Sequence, residues 1–176
     1  MYVDYIYLDT EERRRFAQIS HEYLIEQLQY TGDESLSGES NRVKLNFNHP
    51  VKELIWVCES SANTLGNFTD TVAAAGANPC ASAKLQLNGH DRFSQRDGQY
   101  FNVVQPFQHH SNIPATGINC YSFALKPEEQ QPSGSANMSR IDNATLQLTI
   151  TPEMAALANP VAKVFATNYN VLRIMS

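Results

Sequence analysis

Charge is scarce in this chain. Asp, Glu, Lys and Arg make up 18% of its residues, against about 25% in ordinary globular domains, so much of its polar surface must be Asn, Gln, Ser and Thr. Thirteen Lys and Arg against eighteen Asp and Glu leave a net charge of −5, which excludes a wide basic surface for gripping nucleic-acid phosphates. Cysteine is scarce too. Cys58, Cys80 and Cys120 lie far apart with no CxxC pair, and an odd count cannot close entirely into internal disulfides. They read as reduced thiols, implying folding in an intracellular compartment. No apolar run approaches the roughly 18 residues of a membrane helix, and Met1-Tyr2-Val3-Asp4 does not open a signal peptide. The expectation is a soluble protein not secreted by that route. Gly and Pro, eight each, are too few for collagen-like or low-complexity character.

What is present is an ordinary globular composition: 176 residues, 42% hydrophobic and 10% aromatic. That length suits one domain spanning residues 1–176 and burying its own core. Because the first residues already read as strand with no lead-in, the chain is expected to be a piece of a longer protein.

Short apolar runs bounded by turn residues give eight strand candidates: Tyr2–Leu8, Arg42–Phe47, Lys52–Cys58, Lys84–Asn88, Tyr100–Pro106, Ile118–Leu125, Ala144–Ile150 and Val161–Met175, the last broken near Asn168. Leu146-Gln147-Leu148-Thr149-Ile150 alternates cleanly, as a strand with one buried and one polar face does. One region reads as helical. Asp9 or Thr10 caps Glu11–Gln18, and Ser20 caps a second short helix over His21–Leu28. Thr31–Ser40, Ser60–Ser82 and Lys126–Asn143 are rich in turn formers and read as loops. The fold expected is all-β: an antiparallel β-sandwich of jelly-roll type with a short helical insertion near the start.

Chemistry is thinly signalled. His90-Asp91 and His109-His110 could converge on a metal in a cupin-like enzyme, but neighbouring residues of a strand face opposite ways and no third-ligand spacing supports them. Cys120, and likewise Cys58, would need a positioned base to act as nucleophile; a buried, inert thiol is the plainer reading of each. Arg13, Arg14 and Arg15 could fork onto an anion, yet Glu11 and Glu12 neutralise much of that charge, leaving a solvated helix face or a salt-bridge network at a subunit boundary. In Pro132–Asp142 nearly every residue has a turn-forming or hydrogen-bonding role. Gly134 permits positive φ, Ser133, Asn137 and Ser139 bond nearby backbone, and Arg140 can fork onto Asp142 or a carboxylate across the sheet. The loop reads as a rigid connection shaping an edge or interface. No catalytic residue, metal ligand or cofactor site is assigned.

Several long segments carry a resemblance. They are Leu87-Asn88-Gly89-His90-Asp91-Arg92-Phe93, Gly117 through Leu125, and Gln131-Pro132-Ser133-Gly134-Ser135-Ala136-Asn137-Met138-Ser139-Arg140-Ile141-Asp142. The opening Tyr5–Gln27, the piece Asn48–Trp56 and the terminal Asn168–Ile174 match in order as well. Together they resemble the major capsid proteins of nucleocytoplasmic large DNA viruses over nearly the whole chain, with the iridovirus branch looking nearest. The resemblance implies the carboxy-terminal half of a double jelly roll, and a homotrimer of pseudo-hexagonal outline that tiles an icosahedral shell. It implies a non-enzymatic virion protein, assembled in the host cytoplasm, whose partners are its own copies, neighbouring capsomers and minor capsid proteins. Nucleic acid is not a direct partner, and an internal viral membrane only an indirect one. Ser60–Ser82 becomes a candidate surface tower, and Arg13–Arg15, Pro132, Ser133, Gly134, Asn137, Ser139, Arg140 and Asp142 candidate structural or interface residues. The alternative function is a carbohydrate- or receptor-binding jelly roll stacking sugars on Tyr100, Phe101 and Phe107.

Overall fold

A computed structural model describes residues 2–60, 68 and 77–175. Asp9 opens the first helix, α1 (Thr10–Gln18): its carboxylate accepts the Glu12 N–H at 2.8 Å while Glu12 reaches back to the Asp9 N–H at 3.4 Å. Two otherwise orphaned donors are satisfied, which makes the helix start there. Strands β1 (His21–Ser35), β2 (Ser40–Leu45), β3 (Pro50–Glu59) and β4 (Cys80–Leu87) follow, then the two-residue strands β5 (His90–Asp91) and β6 (Arg96–Asp97). A π-helical stretch, Tyr100–Val104, runs into α2 (Gln105–His109). Next come β7 (Asn119–Ser122), β8 (Ala136–Asn137) with a 3-10 turn over Met138–Arg140, β9 (Ala144–Ile150), α3 (Pro152–Ala155) and β10 (Val161–Ile174).

The strands form two five-stranded sheets, one in the order β1-β10-β3-β7 with β8 also on β3, the other β2-β9-β4-β5 with β6 also on β4. The pairing is nested: β1 lies beside β10, β2 beside β9, β3 beside β7 and β8, β4 beside β5 and β6. A chain folded back on itself in this way is a jelly roll. The β3–β10, β2–β9, β4–β9 and β3–β7 ladders are antiparallel. At the tip of β4, Asn88 and Gly89 both take positive φ, 50° and 81°, the conformation that closes a two-residue hairpin and selects Asn-Gly.

The chain divides into two compact units, Met1–Ile25 with Asn170–Ser176, and Glu26–Tyr169. The second holds the core. Along β9 the residues alternate buried and half-buried, and Leu146 pairs with Val43 on one side and Leu85 on the other. An aromatic chain fills the interior beside them, with Trp56 and Phe93 at 5.1 and 5.5 Å from Phe101, and Phe93 at 4.7 Å from Tyr121. Trp56 and Phe101 are both fully buried.

The all-β jelly roll with an early helix is as expected, and β10 carries a register shift between Thr167 and Asn168, where a break was anticipated. Four local expectations are corrected. Tyr2–Leu8 is not a strand; its residues are exposed, and alternation makes a strand only where a neighbour completes the ladder. The second helix, His21–Leu28, is the first part of β1, because pairing with β10 outweighs local helical propensity. Thr31–Ser40 is not all loop, since β1 continues to Ser35. Tyr100–Pro106 is helical rather than extended, despite its aromatic and β-branched residues. There the side-chain amides decide the outcome: Asn102 Nδ2 donates to the carbonyls of Ala115 and Ile118 at 3.1 and 2.8 Å, and Gln105 Oε1 accepts the Ser122 N–H at 3.1 Å. A helical backbone carries these amides, and Phe101, inward together. The tower candidate Ser60–Ser82 falls mostly outside the described residues, and its last part, Cys80–Ser82, belongs to β4.

Candidate functional site

The Pro132–Asp142 connection is built by its own polar side chains. Ser133 Oγ accepts the Lys126 N–H at 2.9 Å and donates to the Lys126 carbonyl at 3.3 Å, closing the base of the loop. Gly134 sits at φ 142°, and a Cβ there would lie 2.8 Å from the Phe123 carbonyl oxygen. Conformation and space therefore both require glycine. Asn137 Oδ1 accepts the Ser139 N–H at 3.2 Å, capping the 3-10 turn, and Ser139 Oγ accepts the His49 N–H at 2.8 Å. Pairing of Asn137 with Pro50 on β3 and burial of Met138 in the core pin the segment down. Pro132, Arg140 and Asp142 are left at the surface. The fork from Arg140 to Asp142 does not form, and Arg140 makes no ion pair among the described residues. What results is a rigid, hydrogen-bonded loop presenting an unpaired guanidinium.

Arg13, Arg14 and Arg15 all lie exposed on α1, which has no buried residue. Arg14 pairs with Glu11 at 3.2 Å, one turn away, and Arg14 and Arg15 border a shallow concavity with Glu11, Glu12, Gln18 and Ile19. Mixed charge of this kind suits a protein contact better than an anion site.

Two charged residues inside the apolar run of β3 escaped sequence reasoning. Lys52, buried, pairs with Glu26 at 2.7 Å and stands 5.7 Å from the Tyr169 ring centroid. Glu53 meets His110 Nε2 at 3.1 Å and accepts the Thr167 hydroxyl at 3.4 Å, while His110 Nδ1 approaches Glu128 at 3.3 Å and Glu128 also accepts the Ser111 N–H at 3.0 Å. Burial pushes the Glu53 carboxyl above its ordinary value, opposed by the charge on His110 and Lys52. Glu128 moves the opposite way, held below the usual carboxylate range by hydrogen bonds from Ser111 and His110. The available signal was a Lys-Glu pair inside the run Val51–Cys58, since buried charges need partners.

The histidine–carboxylate set is not a shared site. His90 and Asp91 form β5, where Asp91 takes Gln86 at 2.6 Å and Lys84 at 3.3 Å. His109 Nδ1 faces the Leu125 carbonyl at 3.0 Å, while His110 turns to Glu53 and Glu128. No group of three or more His, Cys, Asp or Glu among the described residues could hold a metal ion. Cys58, Cys80 and Cys120 are free and buried; burial raises all three thiols, Cys80 and Cys120 to about 12. They are protonated at neutral pH and unsuited to nucleophilic work. The sugar-stacking trio dissolves as well, because Phe101 is core, Tyr100 packs edge-on against it at 5.1 Å, and Phe107 alone is widely exposed. No helix among the described residues is long and apolar enough to cross a membrane.

Comparison with known proteins agrees with this geometry. The family model described as large eukaryotic DNA virus major capsid protein matches residues 12–176. The major capsid protein of Pyramimonas orientalis virus is 56% identical over 199 residues, an alignment covering 100% of this chain and 46% of that protein. The major capsid protein of Rana tigrina ranavirus, an iridovirus, is 25% identical over 207 residues, covering 100% of this chain and 45% of that protein; the iridovirus branch is related but, contrary to expectation, is not the nearest, because the Pyramimonas orientalis virus protein shares more than twice that identity. Among solved structures, the quasi-atomic model of the PBCV-1 virus capsid superposes with a TM-score of 0.84 at 39% identity, covering 98% of this chain and 54% of that one. The chain spans about half the length of the curated relatives it matches. A jelly roll built around these segments, matched in order from one end to the other, belongs to the major capsid protein family of the large eukaryotic DNA viruses.

Proposed function

We propose that this chain is the carboxy-terminal jelly roll of a capsid protein that carries two in tandem, and that it works as one building block of a virion shell. Residues 1–176 form one functional domain in this reading. Three copies of the whole protein associate into a capsomer of pseudo-hexagonal outline, and capsomers tile an icosahedral shell assembled in the host cytoplasm. The observation that carries the reading is the superposition on the PBCV-1 capsid over 98% of this chain and 54% of the other.

The surface features have matching roles. The loop, shaped by the hydrogen bonds of Ser133, Asn137 and Ser139 and by the turn at Gly134, presents a fixed outline with Pro132, Arg140 and Asp142 at its surface to a neighbouring subunit, and the unpaired Arg140 is available to fork onto a carboxylate there. Arg13, Arg14 and Arg15 supply mixed-charge contacts at a second boundary. Minor capsid proteins are further partners; nucleic acid is not contacted directly, and an internal membrane only through other proteins. The role requires no catalysis and no cofactor.

The test is the light-scattering mass of the protein with its natural flanking sequence restored. A mass of three chains is expected, and charge reversal at Arg140 should weaken association without unfolding the domain. A stable monomer at high concentration would overturn the reading.

A further inference from the structure

Leu54, Trp56 and Tyr121 point into the core, so by strand alternation Ile55 and Cys120, which pair across β3 and β7, face the other side of their sheet. There they floor a cavity of about 250 Å³. Pro106 of α2 and Ile113 and Ile118 of the following segment wall it, and His110 and Glu128 stand at its polar end. The space exceeds the roughly 150 Å³ of an apolar cavity that admits benzene, so an aromatic ring with a short tether fits.

Charge at the polar end decides what such a molecule carries. The Glu128 carboxylate lines the cavity, Glu53 lies directly behind His110 at 3.1 Å, and one imidazole stands between the two acids. The neighbouring lysines are already engaged, Lys52 with Glu26 at 2.7 Å and Lys126 with Glu129 at 3.1 Å. The Glu128 carboxylate accepts from His110 Nδ1 and from the N–H and hydroxyl of Ser111, and with about four lone-pair sites it keeps acceptor capacity. The end is rich in acceptors and acidic, while the body is apolar. Cys120, a protonated thiol, serves as apolar wall.

We propose that this cavity binds a small primary amine with an apolar body, its ring or chain lying over Ile55 and Cys120 and its ammonium donating to Glu128. The inference is independent of capsid assembly, because every residue it uses lies within one subunit.

Three probes sharing one body separate the possibilities on the full-length protein: phenylpropylamine, phenylpropanol and phenylpropanoic acid, followed by saturation-transfer NMR and calorimetry. The amine should bind saturably and about tenfold more tightly than the acid, a difference of about 1.4 kcal/mol, with the alcohol between. Ile113→Trp should fill the cavity and abolish binding. Glu128→Gln, a near-isosteric change at an exposed side chain whose folding is checked by an unchanged melting temperature, should remove the preference of amine over alcohol. Equal binding of acid and amine, an amine preference that survives Glu128→Gln, amine binding unchanged in a folded Ile113→Trp protein, or no saturable binding at all would each overturn the proposal.

Discussion

Glu53 shows how one residue couples fold and pH. Desolvation raises its carboxyl above the ordinary value against the pull of His110 and Lys52. A raised carboxyl binds its proton more tightly folded than unfolded, so its contribution is favourable below the unfolded value and is lost as pH rises through the folded one. Glu53→Gln keeps the shape and the Thr167 contact but removes this titration. The stability of the variant relative to the parent should therefore rise as pH climbs above the ordinary carboxylate value of about 4, as read by urea unfolding at each pH; a difference that stays constant as pH rises would contradict the assignment. Gly134 is the complementary case at this scale, a position where no titration is involved and backbone conformation decides. The sequence shows it as a permissive residue, but the close approach of the Phe123 carbonyl is a tertiary fact.

Among the elements, the π-helical stretch with α2 is where local preference and tertiary demand part company. Its residues favour a strand by type, yet Phe101 must reach Trp56 and the amides of Asn102 and Gln105 must satisfy loop and strand backbone. Phe101→Ala should cost about 3–5 kcal/mol in denaturant unfolding followed by Trp56 fluorescence, whereas a solvent-facing position on a strand would cost far less. A loss below about 1 kcal/mol would show that the element is not core. The same competition explains β1, whose Tyr23, Leu24, Ile25 and Leu28 carry helical spacing but belong to a ladder beside β10. By contrast α1 and β9 were legible directly, because a capping box and a strict alternation are both local signals.

For the whole molecule, the unit made of the two chain ends leaves many large apolar side chains in water, among them Tyr2, Ile6, Tyr7, Leu172 and Ile174. Apolar exposure on this scale marks an interaction surface. The 176-residue chain by itself should associate as its concentration rises and bind hydrophobic dyes. Replacing Ile6, Leu172 and Ile174 by Ser should suppress both effects without lowering the melting temperature; unchanged association in that variant would place the sticky surface elsewhere. Capsomer formation by the full-length protein is a separate matter, judged by a defined mass rather than by concentration-dependent growth.

By itself the sequence determined the class of fold as all-β, since short alternating apolar runs between turn formers point to a sandwich or barrel of antiparallel strands, and its long matched segments determined the family. It also pointed to buried, inert thiols at Cys58 and Cys120, because no base could be placed beside them, whereas the burial of Cys80, which lies in a stretch that reads as loop, came from the structure. Tertiary structure alone decided which strands pair, that Tyr2–Leu8 lacks a ladder, that residues 100–109 are helical, and that Glu53, His110 and Glu128 meet beside one cavity. The physical reason is range: caps, turns and alternation act over a few residues, whereas ladders, buried charge pairs and cavities arise from residues far apart in the chain, brought together once burial of the core has set the sheets in place.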